Sequence, residues 1–381
     1  MSNSGNRAGN SNAVADEHGA VERDAGLDLG GDVAALAAAL MDIQSVSGNE
    51  RTLADAVEAA LVPLGHLSVT RNGDAVVART SLGRSERVIL AGHLDTVPLP
   101  SVAGARGTVP SSWEGEVLYG RGATDMKGGV AVQLALAAAL LEPSKDLTFI
   151  FYDHEEVAAS KSGLGRLVRE NRELLDADFG ILLEPTNGTV EGGCNGTIRF
   201  EAVTRGLAAH SARAWMGENA IHGAAPILER LASYSPATVT VDSLDYRESL
   251  NAVKIRGGTA GNVIPDECVV EINYRFAPDK TPAQAEAHIR QLMEGFDLLC
   301  TDSSAGARPG LNAPAAATFV SAVGKTPKPK YGWTDVARLS EMGIPAVNFG
   351  PGDPLLAHSD DEHVHAADIR ECLAALMRWL A

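Results

Sequence analysis

A mixed α/β fold is predicted for this chain, with a largely parallel sheet flanked by helices and an inserted α+β domain. Three observations carry it. From about Leu67 to Glu184, apolar strand-like runs alternate with Ala-rich helical stretches, the texture of a parallel sheet with crossover helices. From Thr197 the pattern changes to amphipathic strands and helices in the order β-α-β-β-α-β, a compact ferredoxin-like unit. The segment beyond about Leu311 then resumes the first texture and must return to the first sheet. Residues 197–307 are therefore read as an insertion within a discontinuous domain formed by 29–196 and 308–381. Residues 1–28, rich in Asn, Ser, Gly and Ala and without an apolar centre, are expected to be a disordered tail rather than a signal peptide.

The elements follow in order. DVAALAAALMDIQSV (32–46) and ERTLADAVEAALVPLG (50–65) have helical apolar spacing. VILAG (88–92), LTFIFY (147–152), FGILL (179–183) and PAVNFG (345–350) are short apolar runs of the kind buried on both faces of a parallel sheet. Gly128 and Gly129 lead into an apolar run ending at Leu141 and closed by Pro143, a helix that would place its positive end near Asp125. In the insertion, TIRFEAVTRG (197–206) and SLNAVKIRGG (249–258) read as strands, and NAIHGAAPILERLASY (219–234) as a helix. ECVVEINYRFAP (267–278) alternates most clearly: Val270, Ile272, Tyr274 and Phe276 share one face, leaving Glu271, Asn273 and Arg275 on the polar one. TPAQAEAHIRQLMEGF (281–296) is a helix capped by Thr281 with Pro282 in its first turn, and FDLLC (296–300) closes the unit.

A formal net charge of −17 without a Lys/Arg cluster argues against nucleic acid or an anionic membrane as partner. The longest apolar tract, 130–141, is well short of the roughly 20 residues a spanning helix needs. The four cysteines are scattered, without zinc-knuckle spacing, and read as reduced thiols of a cytoplasmic protein.

The apolar runs also point to the chemistry. Each stops within a few residues of a potential metal ligand: His93 and Asp95, Glu155 and Glu156, Glu184, and His358. Asp125 lies in the glycine-rich loop GRGATDMKGG (120–129). Ligand crevices of open α/β sheets lie beyond the carboxyl ends of the strands, so these groups can converge. His93, Asp125, Glu156, Glu184 and His358 form a set suited to Zn²⁺ or a similar divalent ion, and the same donors accept Co²⁺ or Mn²⁺. Three carboxylates and a bridging hydroxide carry about four negative charges, which balances two divalent ions better than one. Asp125, in its tight loop, is the natural bridge. Asp95, two residues beyond His93, is expected to orient the imidazole. Glu155 and Glu156 diverge as neighbours, so one can ligate while the other serves as general base.

The segments GHLDTVP (92–98), GRGATDMKGG, YDHEEV (152–157), LLEPTNG (182–188) and AHSDDEHV (357–364) resemble the dinuclear zinc amidohydrolases of the M20 peptidase family. Within it, GLAAHSARAWMGENAIH (206–222), GGTAGNVIPDECVVEINYRF (257–276) and GWTDVARL (332–339) are most similar to the succinyl-diaminopimelate desuccinylases of actinobacterial type. The resemblance implies that His93, Asp125 and Glu184 hold one zinc ion, that Asp125, Glu156 and His358 hold the other, and that Glu155 is the acid/base. It implies an oxyanion-stabilising His210 that reaches across a homodimer interface formed by the insertion, and Asn262 and Arg275 engaging a substrate carboxylate. Arg213 is a further candidate for substrate contact. His154 departs from the acidic or small residue many members carry before the glutamate pair. The expected reaction is hydrolysis of the amide of N-succinyl-LL-2,6-diaminopimelate to succinate and the diamine. Deacetylation of N-acetylornithine or an N-acyl-lysine, or carboxypeptidase action, are the alternatives at the same site. In every case the substrate is a small N-acyl amino acid.

Overall fold

The computed structural model describes residues 26–381. Most of the expected tail thus lies outside the described residues, and Leu27 already packs against the main apolar core. An eight-stranded mixed sheet forms the centre of the larger unit. Its inner strands run parallel in the order Asp146–Tyr152, Arg87–His93, Phe179–Leu182 and Ala346–Asn348. Ala75–Arg79 and Ser68–Asn72 extend one side by antiparallel pairing; on the other, Glu191–Gly192 pairs antiparallel with Ala346–Asn348, and Lys328–Pro329 runs parallel to Glu191–Gly192. Every residue of Asp146–Tyr152 is buried, as expected for a strand covered on both faces.

One face is covered by helices Val33–Met41, Lys127–Ala139 and Ala366–Leu380, whose side chains share a core with Phe149, Phe179 and Phe349. The other is covered by Gly163–Glu170 and Val336–Glu341, through Leu164, Leu167, Val336 and Leu339. Helix Lys127–Ala139 lies against the sheet so closely that a Cβ on Gly129 would stand 2.2 Å from the Leu183 carbonyl oxygen. Only glycine permits that approach, and it brings the helix start, with Asp125 just before it, to the carboxyl end of the Phe179–Leu182 strand.

The insertion is a four-stranded antiparallel sheet ordered Ser249–Gly257, Glu267–Phe276, Gly196–Arg205, Asp297–Ser304. Helices Ala225–Ser233 and Pro282–Leu292 cover one face, around Ile198, Phe200, Ile272 and Tyr274. The latter helix opens with a capping box between Thr281 and Gln284. The single helix expected over 219–234 is two pieces, Ala220–Gly223 and Ala225–Ser233. Pro226, which cannot donate a backbone hydrogen bond, follows the break. A hairpin not anticipated from sequence, Thr238–Val241 with Leu244–Arg247, turns at Asp242 and Ser243, both at positive φ. Tyr246 on it donates to the Gly192 carbonyl at 2.6 Å and ties the insertion to the main sheet. Among the described residues no helix is long and apolar enough to cross a membrane.

Candidate metal centre

The four inner strands end on the same side: His93 closes its strand, Glu155, Glu156 and Glu184 follow theirs within four residues, and His358 lies on the loop that follows Ala346–Asn348. His93 is the last residue of its strand and is buried. Its Nδ1 donates to the Asp95 backbone carbonyl at 2.9 Å, which selects the tautomer that leaves Nε2 as a ligand. That Nε2 lies 3.0 Å from Asp125 Oδ1. The other oxygen, Asp125 Oδ2, lies 3.3 Å from His358 Nε2, which is also 2.9 Å from Glu156 Oε1. One carboxylate therefore faces two imidazoles, one with each oxygen. His93, Asp125 and Glu184 each offer a ligand atom within 4.8 Å of the others, and so do Asp125, Glu156 and His358, so the two trios share Asp125. A third trio, His93 with Glu155 and Glu156, satisfies the same criterion.

The electrostatics fit cations here. Burial pushes the Glu184 carboxyl up to about 7, with the Asp125 charge adding to it. Burial, together with Glu184, Asp335 and Glu156, raises Glu155 well above the usual carboxylate range, although His93 opposes this. Hydrogen bonds to Asp125 and Glu156 raise His358 to about 10. Asp125 is pushed up by burial, yet its bonds to His358 and His93 hold it well below its ordinary value. Carboxylates thus outnumber the groups that can neutralise them, and the imidazoles must take up protons to do so. Divalent ions would satisfy the same N/O donor set without those protons.

The surrounding residues hold this arrangement. Both oxygens of Asp95 accept backbone N–H groups: Glu155 N–H at 2.9 Å and Glu156 N–H at 3.0 Å, with the Ser47 hydroxyl adding a third bond at 2.7 Å. This differs from the expectation that the Asp95 side chain would orient His93, since its carboxylate is 3.6 Å from Nδ1. The physical reason is that the strand ends at His93. Alternation of side chains no longer holds at residue 95, and the carbonyl, rather than the carboxylate, turns toward the ring. Asp95 fixes the acidic turn instead. His154 sits at positive φ, its Nδ1 bonded to Asp153 at 2.7 Å and its N–H to Glu50 at 3.3 Å. His358 is likewise at positive φ, so two strained non-glycine backbones adjoin the centre.

Glu362 was not singled out from sequence, although it lies in the AHSDDEHV segment. It is buried, pairs with Arg121 at 2.7 Å, and accepts the N–H groups of Thr124 and Asp125 at 3.0 and 3.1 Å. Its position four residues after His358 was the available signal. Lys330 and Asp335 were also missed, the former bonding the Pro185 carbonyl at 3.2 Å beside Glu184.

Two clefts open onto Glu155, Glu156 and His358. One, of about 590 Å³, also reaches Glu184 and Lys330. The other, of about 810 Å³, lies between the two units and reaches Arg275. His210, Arg213 and Asn262 line neither cleft. They lie together at an outer edge of the insertion, where Ser211 N–H bonds the Asn262 carbonyl at 2.9 Å and His210 Nδ1 accepts from Ala212 N–H at 3.1 Å. Within one chain, then, the metal-ligand candidates, Glu155 and Arg275 come together, and the other three do not join them.

The sequence profile of peptidase family M20/M25/M40 matches residues 89–381. A Mycobacterium tuberculosis protein provisionally named succinyl-diaminopimelate desuccinylase is 52% identical over 357 residues, covering 93% of this chain and 99% of the relative. A Corynebacterium glutamicum protein named succinyl-diaminopimelate desuccinylase is 43% identical, covering 93% and 98% of the two chains. The fold is similar to that of an M20 family metallo-carboxypeptidase from Sulfolobus solfataricus. That match has a TM-score of 0.75 at 16% identity, over 92% of this chain and 98% of the other.

Proposed function

The chain belongs to peptidase family M20/M25/M40, and from that premise we propose that it hydrolyses the amide of N-succinyl-LL-2,6-diaminopimelate to succinate and LL-2,6-diaminopimelate. The supporting observation is Asp125 placed between two imidazoles, one at each oxygen, which favours a centre of two divalent ions. His93, Asp125 and Glu184 would hold one ion, and Asp125, Glu156 and His358 the other. Zn²⁺ is our assignment, with Co²⁺ or Mn²⁺ as substitutes.

When bound, the ions supply Lewis acidity toward the amide carbonyl and make water more acidic. The chain supplies the rest. Glu155 takes the proton of the attacking water and returns it to the leaving amine, converting a poor amide leaving group into a neutral one. Asp95 keeps the backbone of Glu155 and Glu156 fixed, accepting the N–H of one with each of its oxygens. Arg275 engages a substrate carboxylate, which draws a dianionic or trianionic substrate into an otherwise acidic protein. Because the cysteines are free, we retain a cytoplasmic location as part of this reading.

Parallel assays of metal-loaded protein on succinyl-diaminopimelate, acetylornithine, an N-acetyl-lysine and a peptide with a free carboxyl terminus test the substrate. The succinyl compound is expected to show the highest kcat/KM by at least about 100-fold, roughly 2.7 kcal/mol in transition-state binding. Equal or greater efficiency with acetylornithine would replace this assignment by a deacetylase.

His210, Arg213 and Asn262 enter the reading through a second subunit. The strand Ser249–Gly257 is an outer edge of its sheet with Val253 and Ile255 58% and 50% exposed. Trp215 and Met216 are 79% and 61% exposed beside His210. Exposed apolar groups along a free sheet edge suit a symmetric pairing. A homodimer would let His210 of one chain reach the oxyanion at the other's centre. Co-expressed H210A and E155Q chains should then recover about a quarter of wild-type turnover, because about half of randomly paired dimers are mixed and each holds one complete site. Mixed dimers with no more activity than the parents would place His210 outside catalysis in trans.

A further inference from the structure

The polar face of the inserted sheet turns toward the metal centre and carries more cationic charge than the assignment of Arg275 uses. Arg199 and Arg275 both line the cleft shared with Glu155, Glu156 and His358. In the antiparallel register Arg199 stands opposite Asn273 and Arg275 opposite Thr197, so the two arginines are diagonal neighbours on one face. Such positions lie about 7–8 Å apart at the backbone, within reach for both guanidinium groups to address one carboxylate. Elsewhere on this sheet arginines are neutralised. Arg205 pairs with Glu267 at 2.9 Å, and Arg256 with Glu201 and Glu271 at 2.9 and 2.8 Å. Arg199 and Arg275 form no ion pair with any of the described residues, although Asp302 stands opposite Arg199 on the next strand.

The arrangement is also oriented. Asn273 donates to Thr197 Oγ1 at 3.0 Å and accepts from Arg275 Nε at 3.1 Å, so the terminal nitrogens of Arg275 are aimed and have no hydrogen-bond partner among the described residues. Burial lowers the Arg275 pKa, and the neighbouring Arg199 charge lowers it further, so the pair repels in the absence of an anion. Two unpaired guanidinium groups in a cleft of a chain with net charge −17 need a physical reason. A bound carboxylate supplies one.

We propose that Arg199 completes, with Arg275, a two-guanidinium subsite for a carboxylate at the far end of the substrate, several bonds from the scissile amide, and so acts as a specificity residue. This deepens the desuccinylase reading and rests on it for the substrate class. The remote carboxylate can come from a dicarboxylic acyl group or from the second amino-acid end of the amine, and the test separates these sources.

R199A, R199K and wild type are compared on four substrates that combine a succinyl or butyryl group with diaminopimelate or lysine as amine. R199A should raise KM about 10- to 100-fold, with kcat little changed, for substrates bearing the recognised carboxylate, the scale of a lost charged hydrogen bond. Its partner lacking that carboxylate should be unaffected, and R199K should recover part of the loss. A loss following succinyl against butyryl assigns the subsite to the acyl end, and a loss following diaminopimelate against lysine assigns it to the amine end. An equal loss on all four substrates, or none, overturns the proposal. Calorimetry of succinate and of LL-diaminopimelate with the metal-loaded proteins is a readout independent of turnover. If wild type fails to hydrolyse succinyl-diaminopimelate, the desuccinylase reading fails. The subsite still stands if R199A weakens binding of one of the two ligands at least fivefold, and falls if neither is weakened.

Discussion

Glu155→Gln is expected to lower kcat by at least about 10²–10⁴-fold while leaving two metal ions bound per chain. Glutamine preserves the shape of the side chain and the two backbone bonds that Asp95 makes to residues 155 and 156, so the change removes a proton acceptor and little else. The geometry separates the neighbouring glutamates. Glu156 contacts His358 at 2.9 Å and belongs to the trio containing Asp125, whereas Glu155 joins only the trio that omits Asp125. If instead Glu155 were the ligand and Glu156 the base, E155Q would lose one ion and E156Q would keep both. Elemental analysis alongside steady-state kinetics distinguishes the two assignments. Near-normal turnover by E155Q would remove it from proton transfer altogether.

The ligand candidates were legible because parallel strands in one sheet share an exit side. An apolar run followed by His, Asp or Glu therefore carries spatial information as well as composition. That regularity fails one step past the strand. At Asp95 the backbone has already turned, and which group faces His93 depends on loop geometry that no periodicity encodes. Glu362 was hidden for a related reason: its partners are the N–H groups of residues 124 and 125, more than two hundred positions away, and backbone donors leave no mark in a sequence. The insertion was legible where strands alternate, as along Glu267–Phe276, and illegible where Pro226 follows a break in a helical pattern or where Asp242 and Ser243 turn a hairpin without glycine. Arg199 escaped because its significance lies in what does not pair with it.

Asp125→Ala is expected to have the second of the two largest effects, since on the proposed assignment it would take a ligand from both ions at once. Metal content should fall from two ions to fewer than one per chain, and turnover by about 10³-fold or more, the scale of losing several kcal/mol of Lewis-acid stabilisation. His358→Ala, which removes a ligand from one trio only, should retain one ion. This ordering is specific to a shared carboxylate: two independent sites would give D125A and H358A the same single loss. The metal-free protein offers a second readout. Its folded-state Asp125 pKa is depressed below the ordinary value of 3.8, so this carboxylate contributes stability that is present above that value and is lost as pH falls toward the lower, folded one. At neutral pH, metal-free D125A should therefore melt below metal-free wild type, because His93 and His358 lose the charge that holds their protons. As the pH is taken down through the carboxylate range, wild type should lose stability and the two melting temperatures should converge. Retention of two tightly bound ions by D125A would refute the bridge whatever the melting curves show.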